Sequence, residues 1–153
     1  MNKTSPTFLH VISTDYLAQN FFVMIFAGWV IVAIDAIFGG RAAFFLVTFA
    51  AILTPIGLVT FFSRYRLIAS TFANGTEITG RVTEINTISS GGKSKDYLIS
   101  YEYSLNGRIY HYRNRVKTNA FAKKLREGQR VNLLVHKKTP QTAFIKDFYL
   151  ESL

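Results

Sequence analysis

The chain has 153 residues, with 18 Lys+Arg against 9 Asp+Glu for a formal net charge of +9, and 49% of it is apolar; that length fits one domain, or a small domain with an anchor. It contains no cysteine, which excludes disulfides and thiolate metal sites and leaves the redox compartment open. The averages hide two unlike halves: Leu17 to Phe62 carries one acid, Asp35, and one base, Arg41, whereas Thr71 to Leu153 holds 14 Lys+Arg against 7 Asp+Glu.

An N-terminal tail, 1–16, leads into two apolar runs, 17–38 and 42–62. Each is about 21 residues, enough to cross a hydrocarbon core of roughly 30 Å. Only Gly39-Gly40-Arg41 separates them, so the pair is expected to form an antiparallel membrane α-helical hairpin, 17–62. A cleaved signal peptide would need a basic n-region, a short apolar core and an A-x-A-like site. Here the first run is too long, and Lys3 is the one base ahead of it. Asp35 lies one turn before the tip, from where its carboxylate is expected to reach headgroups and water near Arg41 rather than stay at the bilayer centre.

Ala43, Ala50, Thr54 and Gly57 fall at spacings of 7, 4 and 3, one face of the second helix, and Gly28, Val32 and Asp35 make a comparable stripe on the first. Small residues let membrane helices approach closely, so this face is expected to pack either within the hairpin or against another protein. Pro55 should kink the second helix, having no N–H for the carbonyl of Ala51. Arg64 and Arg66 close the second run, Lys3 precedes the first, and the tip has Arg41; the positive-inside rule then places both termini in the cytoplasm. The segment 63–75 reads as a continuing helix end and linker, with Arg64 and Arg66 at headgroup level and "ANG" (Ala73 to Gly75) as its stop.

Beyond Gly75 the apolar period changes from 3.6 to 2. "YLISYEYSL" places Tyr97, Ile99, Tyr101, Tyr103 and Leu105 on one face, and Asn106-Gly107 follows as a two-residue type I′ turn. That turn sets Leu105 opposite Arg108, Tyr103 opposite Tyr110, Tyr101 opposite Tyr112 and Glu102 opposite His111. Upstream, "TEITGRVTEI" is a strand with a bulge between Val82 and Ile85, and "ISSGGKSKD" is expected to be a mobile connection. Downstream, "TNAFAKKLREG" suits one short helix, capped by Thr118 or Asn119 and stopped by Gly128. "RVNLLVH" and "AFIKDFYL" read as two further strands, with Pro140 in the turn between them. About five strands and one short helix in 76–153 make a small all-β domain of the OB or SH3 kind, a partly open barrel.

Gly80-Arg81-Val82, the hairpin from Tyr101 to Tyr110, Gly128 to Val131, and Pro140 to Ala143, placed after an N-terminal membrane hairpin, resemble the uncharacterised bacterial membrane proteins of domain of unknown function family 3592. The resemblance implies a two-helix anchor plus a small C-terminal β domain, and with it the bacterial plasma (inner) membrane. It supplies no activity and no site.

Chemical signatures are few. His10, His111 and His136 stand at no metal-binding spacing. Ser89, Ser90 and Ser94 lack a G-x-S-x-G elbow. "SGGKS" (Ser90 to Ser94) lacks the first glycine and the following helix of a phosphate loop. Asn74-Gly75-Thr76 matches a glycosylation sequon but reads as a turn. No enzyme, cofactor or metal is therefore expected. The basic surface remains: Arg64, Arg66, Arg113, Arg115, Lys123, Lys124 and Arg126 are expected to face anionic headgroups or a partner protein. Tyr110 and Tyr112 would suit stacked nucleotide bases, but parity sends them inward, so nucleic acid is not an expected partner. The reading is a non-enzymatic membrane protein, an interaction or accessory module of a larger membrane assembly, with the lipid bilayer and a membrane protein as partners. A membrane-embedded immunity or stress protein, and a membrane-tethered nucleic-acid-binding module, are the competing classes.

Overall fold

The computed structural model describes residues 5–40, 43–90 and 94–150. A short helix α1 (Phe8–Thr14) is followed after one residue by α2 (Tyr16–Ile37), then α3 (Ala43–Asn74). Helices α2 and α3 form a hairpin, and both are long and apolar enough to cross a membrane. Gly39 and Gly40 at its tip have φ of +111° and +62°, the left-handed region that glycine enters without a Cβ clash. Helix α3 runs unbroken through Pro55 for 32 residues, about 48 Å, and Gly75 ends it by donating its N–H to Thr71 O at 2.7 Å. The helix thus continues past Phe62 and stops within "ANG", as expected.

The chain then forms β1 (Thr76–Ser90), β2 (Ser94–Leu105), β3 (Arg108–Lys117), α4 (Ala120–Lys124), β4 (Arg130–Val135), β5 (Ala143–Ile145) and α5 (Lys146–Leu150). The strands make one antiparallel sheet in the order β3-β2-β1-β4-β5. Its two ends curl toward each other: the Tyr112 ring on β3 lies 6.1 Å from Phe144 on β5, and the Tyr101 hydroxyl crosses the interior to donate to Ala143 O at 2.6 Å. The result is a nearly closed, barrel-like sheet.

The β2–β3 register is the expected one. Leu105 pairs with Arg108, Tyr103 with Tyr110, Tyr101 with Tyr112 and Glu102 with His111. Asn106 and Gly107 hold φ of +52° and +75°, as a type I′ turn requires. The β1 bulge falls between Val82 and Glu84. Asn119 caps α4 by accepting from Ala122 N at 2.7 Å.

Three readings change. "ISSGGKSKD" is largely strand, since pairing runs on to Ser90 opposite Ser94; Gly91 to Lys93 lie outside the described residues. "AFIKDFYL" is strand for three residues and then helix α5, which buries both Phe148 and Tyr149. The N-terminal tail holds α1, whose Val11 is fully buried. Val11, Phe61, Ile68 and Phe72 from the helices share one apolar core with Tyr101, Leu133, Phe144 and Tyr149 of the β domain.

Candidate functional site

The most elaborate polar arrangement lies where the helices meet the sheet. Asp15 is the single extended residue (φ −86°, ψ 116°) between α1 and α2, ending one and capping the other. As an N-cap its carboxylate accepts from Ala18 N at 2.9 Å, satisfying one of the orphan donors of a helix start. Extended backbone also lets Asp15 pair as an isolated bridge with Val116 on β3. The neighbouring side chains consequently diverge: Asp15 meets groups of the interior, while Tyr16 meets the outer face.

Inside, Arg64 on α3 donates from Nε to Asp15 Oδ1 at 3.2 Å and from Nη2 to Oδ2 at 2.7 Å, the two-pronged geometry that arginine offers a carboxylate. The Tyr149 hydroxyl donates to Asp15 Oδ2 at 2.9 Å, and Asn114 Nδ2 donates to that hydroxyl at 3.3 Å. The guanidinium also lies over the Phe144 ring, 5.1 Å from its centroid. The Asp15 side chain is fully buried and that of Arg64 is 12% exposed. Burial, and after it the charge of Asp15, pushes the Tyr149 phenol well above its ordinary range, so it stays protonated and donates. Four residues from α1–α2, α3, β3 and α5 thus form one hydrogen-bonded group.

On the outer face a second clamp mirrors the first. Asp96 on β2, its side chain fully buried, accepts from Arg115 Nη2 at 2.7 Å and lies 3.3 Å from Lys117 Nζ. The Arg115 guanidinium sits 3.5 Å from the centroid of the Tyr16 ring, a cation–π contact joining β3 to the start of α2. The junction is held from both sides of β3.

The residues singled out from the sequence are distributed as follows. Arg64, expected at headgroup level, is paired with the fully buried Asp15 carboxylate. Arg115 is likewise held by Asp96, and Arg113 pairs on the surface with Glu84 at 3.2 Å. Arg66, Lys123, Lys124 and Arg126 are exposed. In the hairpin, a Cβ on Gly28 would stand 2.9 Å from Ala50 Cβ, and one on Gly57 would stand 2.9 Å from Ile25 Cγ1. Thr54 Oγ1 accepts from Trp29 Nε1 at 2.9 Å and donates to Ala50 O at 2.8 Å. The small-residue face therefore packs α2 on α3. Ala43 opens α3, and its side chain is outside the described ones. Asp35 sits in the last turn of α2, where its carbonyl accepts from Gly40 N at 2.8 Å. Its Oδ2 is buried without a hydrogen-bond partner among the described residues, and Arg41 falls outside them.

Tyr110 stacks against Tyr103 at 5.7 Å and Tyr112 lies tilted against Tyr101 at 5.8 Å, and both rings, partly buried, pack against the core. Among the described residues no group of His, Asp and Glu side chains is gathered to hold a metal ion. Sequence reading missed Asp15, Asp96, Asn114 and Tyr149. Asp15 carried a usable signal, an acid immediately before an apolar helical run. Its partners did not, lying 49 and 134 residues away.

Residues 74–149 match the family model described as Domain of unknown function (DUF3592); the β domain belongs to that family, and two apolar helices precede it. No curated protein and no solved structure matches the chain significantly.

Proposed function

We propose that this chain, a DUF3592 domain joined to two apolar helices, is a non-enzymatic interaction or accessory module of a larger membrane assembly. In this reading the hairpin crosses the bacterial inner membrane with both termini in the cytoplasm, and the β domain sits beneath the anionic leaflet. The observation that carries it is the junction: the Tyr149 hydroxyl on Asp15, the Asp15–Val116 bridge and the Arg115 guanidinium on Tyr16 fasten the β domain onto the helix pair, so the domain is presented in one fixed pose. Insertion is supported by the apolar belt on the hairpin, where Phe38 and Phe44 are 84% and 88% exposed; contiguous exposed apolar surface marks a membrane or partner contact.

The basic surface available for such contacts is smaller than the sequence suggests. Arg66, the α4 bases Lys123 and Lys124, and Arg126 just beyond α4 are exposed and, among the described residues, make no ion pair. Helix α4 packs through Phe121 on Phe148, beside α1, where the His10 ring meets Phe148 O. These bases therefore stand near the junction, where each contributes on the order of 1 kcal/mol toward an anionic leaflet.

Introduced cysteines test the reading against the cysteine-free background. An impermeant thiol reagent applied to intact cells should label Gly40→Cys and spare Lys138→Cys until the membrane is opened. Labelling of Lys138→Cys from outside overturns the orientation, and release of the protein by alkaline carbonate overturns insertion. A photo-crosslinker at Lys124 should capture a discrete membrane-protein adduct; capture of lipid alone would reduce the module to a membrane-docking domain.

A further inference from the structure

On the outer face of the sheet, away from the junction, the register lines up Arg130, Arg81, Glu102 and His111 across β4, β1, β2 and β3. Arg81 therefore stands directly opposite Arg130. Like charges so placed destabilise a ladder. Among the described residues neither arginine has a carboxylate within ion-pair distance, Glu102 included. Arg81 is nevertheless aimed: its Nε donates to Gly128 O at 3.2 Å. Gly128 holds φ +79°, and a Cβ there would stand 3.4 Å from Arg81 Nη2. One N–H of Arg81 is thus used, which leaves four of a guanidinium's five donors. Both arginines line an open groove of about 530 Å³, with Glu102, Tyr103, Ser104 and Ile109 among its walls.

We infer that this groove binds a small soluble ligand through an oxyanion, carboxylate or phosphate, held between Arg81 and Arg130. Glu102 accepts a hydrogen bond from a hydroxyl or ammonium group of the same molecule. Planar guanidinium forks match both oxyanions, and the ligand supplies the charge that the Arg81–Arg130 pair lacks. A free ligand, rather than a lipid headgroup, follows from position. The groove wall at Ile109 lies seven residues along β3 from Val116 at the junction, about 23 Å. Helix α3 also runs about 15 Å past Arg64 before β1 begins. This site shares no residue with the bases proposed to face the membrane, so failure of either reading leaves the other standing.

The test uses the full chain in zwitterionic nanodiscs, reading the Nε–Hε resonances of Arg81 and Arg130 by NMR. Inorganic phosphate should shift both saturably, with half-saturation in the millimolar range, and free phosphoserine should bind about tenfold tighter. Arg130→Gln should abolish the shift at Arg81, and Glu102→Gln should remove the advantage of phosphoserine alone. Without ligand, Arg130→Gln should be at least as stable as the parent. Shifts linear in phosphate, or reproduced by chloride at equal ionic strength, overturn the site. A destabilised Arg130→Gln makes Arg130 a structural group and also overturns it. If phosphatidylglycerol in the discs shifts the two resonances and free phosphate does not, the ligand is a headgroup and the soluble assignment falls.

Discussion

Asp15→Asn isolates the charge of the junction from its shape. Asparagine is nearly isosteric, keeps an oxygen for Ala18 N in place of Oδ1 and is as good an N-cap as aspartate, while its amide stands where Oδ2 accepted from Tyr149. What it removes is the negative charge opposite Arg64, whose side chain is 12% exposed and cannot turn to water without leaving its site. Stranding one member of a buried pair costs roughly 3–5 kcal/mol; residual solvent contact at Arg64 puts Asp15→Asn at the lower end, about 3 kcal/mol. Arg64→Met leaves the fully buried carboxylate instead. Its cost should be about 4 kcal/mol. The double variant strands neither charge, and replacing a buried pair by neutral groups of similar volume is often close to neutral. It should therefore lie within about 1 kcal/mol of the parent, with a coupling energy of about 6 kcal/mol. Urea unfolding of the full chain in mild detergent, followed by near-UV circular dichroism of the tyrosines, gives all four stabilities. A coupling below about 0.5 kcal/mol would mean that water already screens the pair, and the junction would not be the clamp described here.

The turn and the tyrosines give two further expectations. Gly107 holds φ +75°, so Gly107→Val forces a β-branched residue into the left-handed region and should cost at least about 1 kcal/mol; an unchanged unfolding midpoint would contradict the type I′ assignment. Burial raises the Tyr101 and Tyr149 phenols well above their ordinary range and pushes Tyr103 up to about 12. A raised tyrosine pKa favours the protonated, folded form: its contribution is complete below about pH 10 and is lost as pH rises through the folded value, by about 1.4 kcal/mol per pH unit for each group. Denaturation between pH 8 and 11.5 should show that decline, and Tyr149→Phe should make it shallower. A slope unaffected by Tyr149→Phe would place that hydroxyl in water.

Local signals were legible where two of them agreed. The Asn106-Gly107 turn and the alternation of Tyr101 and Tyr103 imposed the same register, and the structure keeps it. The shift of parity after Val82 announced the bulge, and small residues at Gly28, Ala50, Thr54 and Gly57 marked the helix seam. The end of the chain was misread because Phe144, Ile145, Phe148 and Tyr149 recur at i, i+1, i+4 and i+5. A helical turn buries both members of the second pair, as the short strand β5 does for the first. Helix α1, at seven residues, is too short for a period to emerge. The clamps were invisible for another reason: the acids Asp15 and Asp96 find their ion-pair partners far along the chain, and what gives them meaning is tertiary proximity to Arg64, Tyr149 and Arg115.

That proximity also changes what counts as a folding unit. The change of apolar period at Gly75 divides helix from strand, and the family match begins beside it, at residue 74. The core does not divide there. Val11, Phe61, Ile68 and Phe72 are each no more than 1% exposed, and Phe72 meets Tyr149 edge-on at 5.4 Å. Uncovering a fully buried apolar side chain costs about 1.5–3 kcal/mol, so baring Ile68 and Phe72 alone, past Arg64 on α3, amounts to roughly 3–6 kcal/mol. That reaches the lower end of the whole stability of a typical domain, about 5–15 kcal/mol, before the buried charge of Arg64 or Asp15 is counted. The sheet therefore does not sit on the hairpin as a separable head on a tether. It completes its core with α1 and the lower half of α3, and the boundary at Thr76 is one of secondary structure alone.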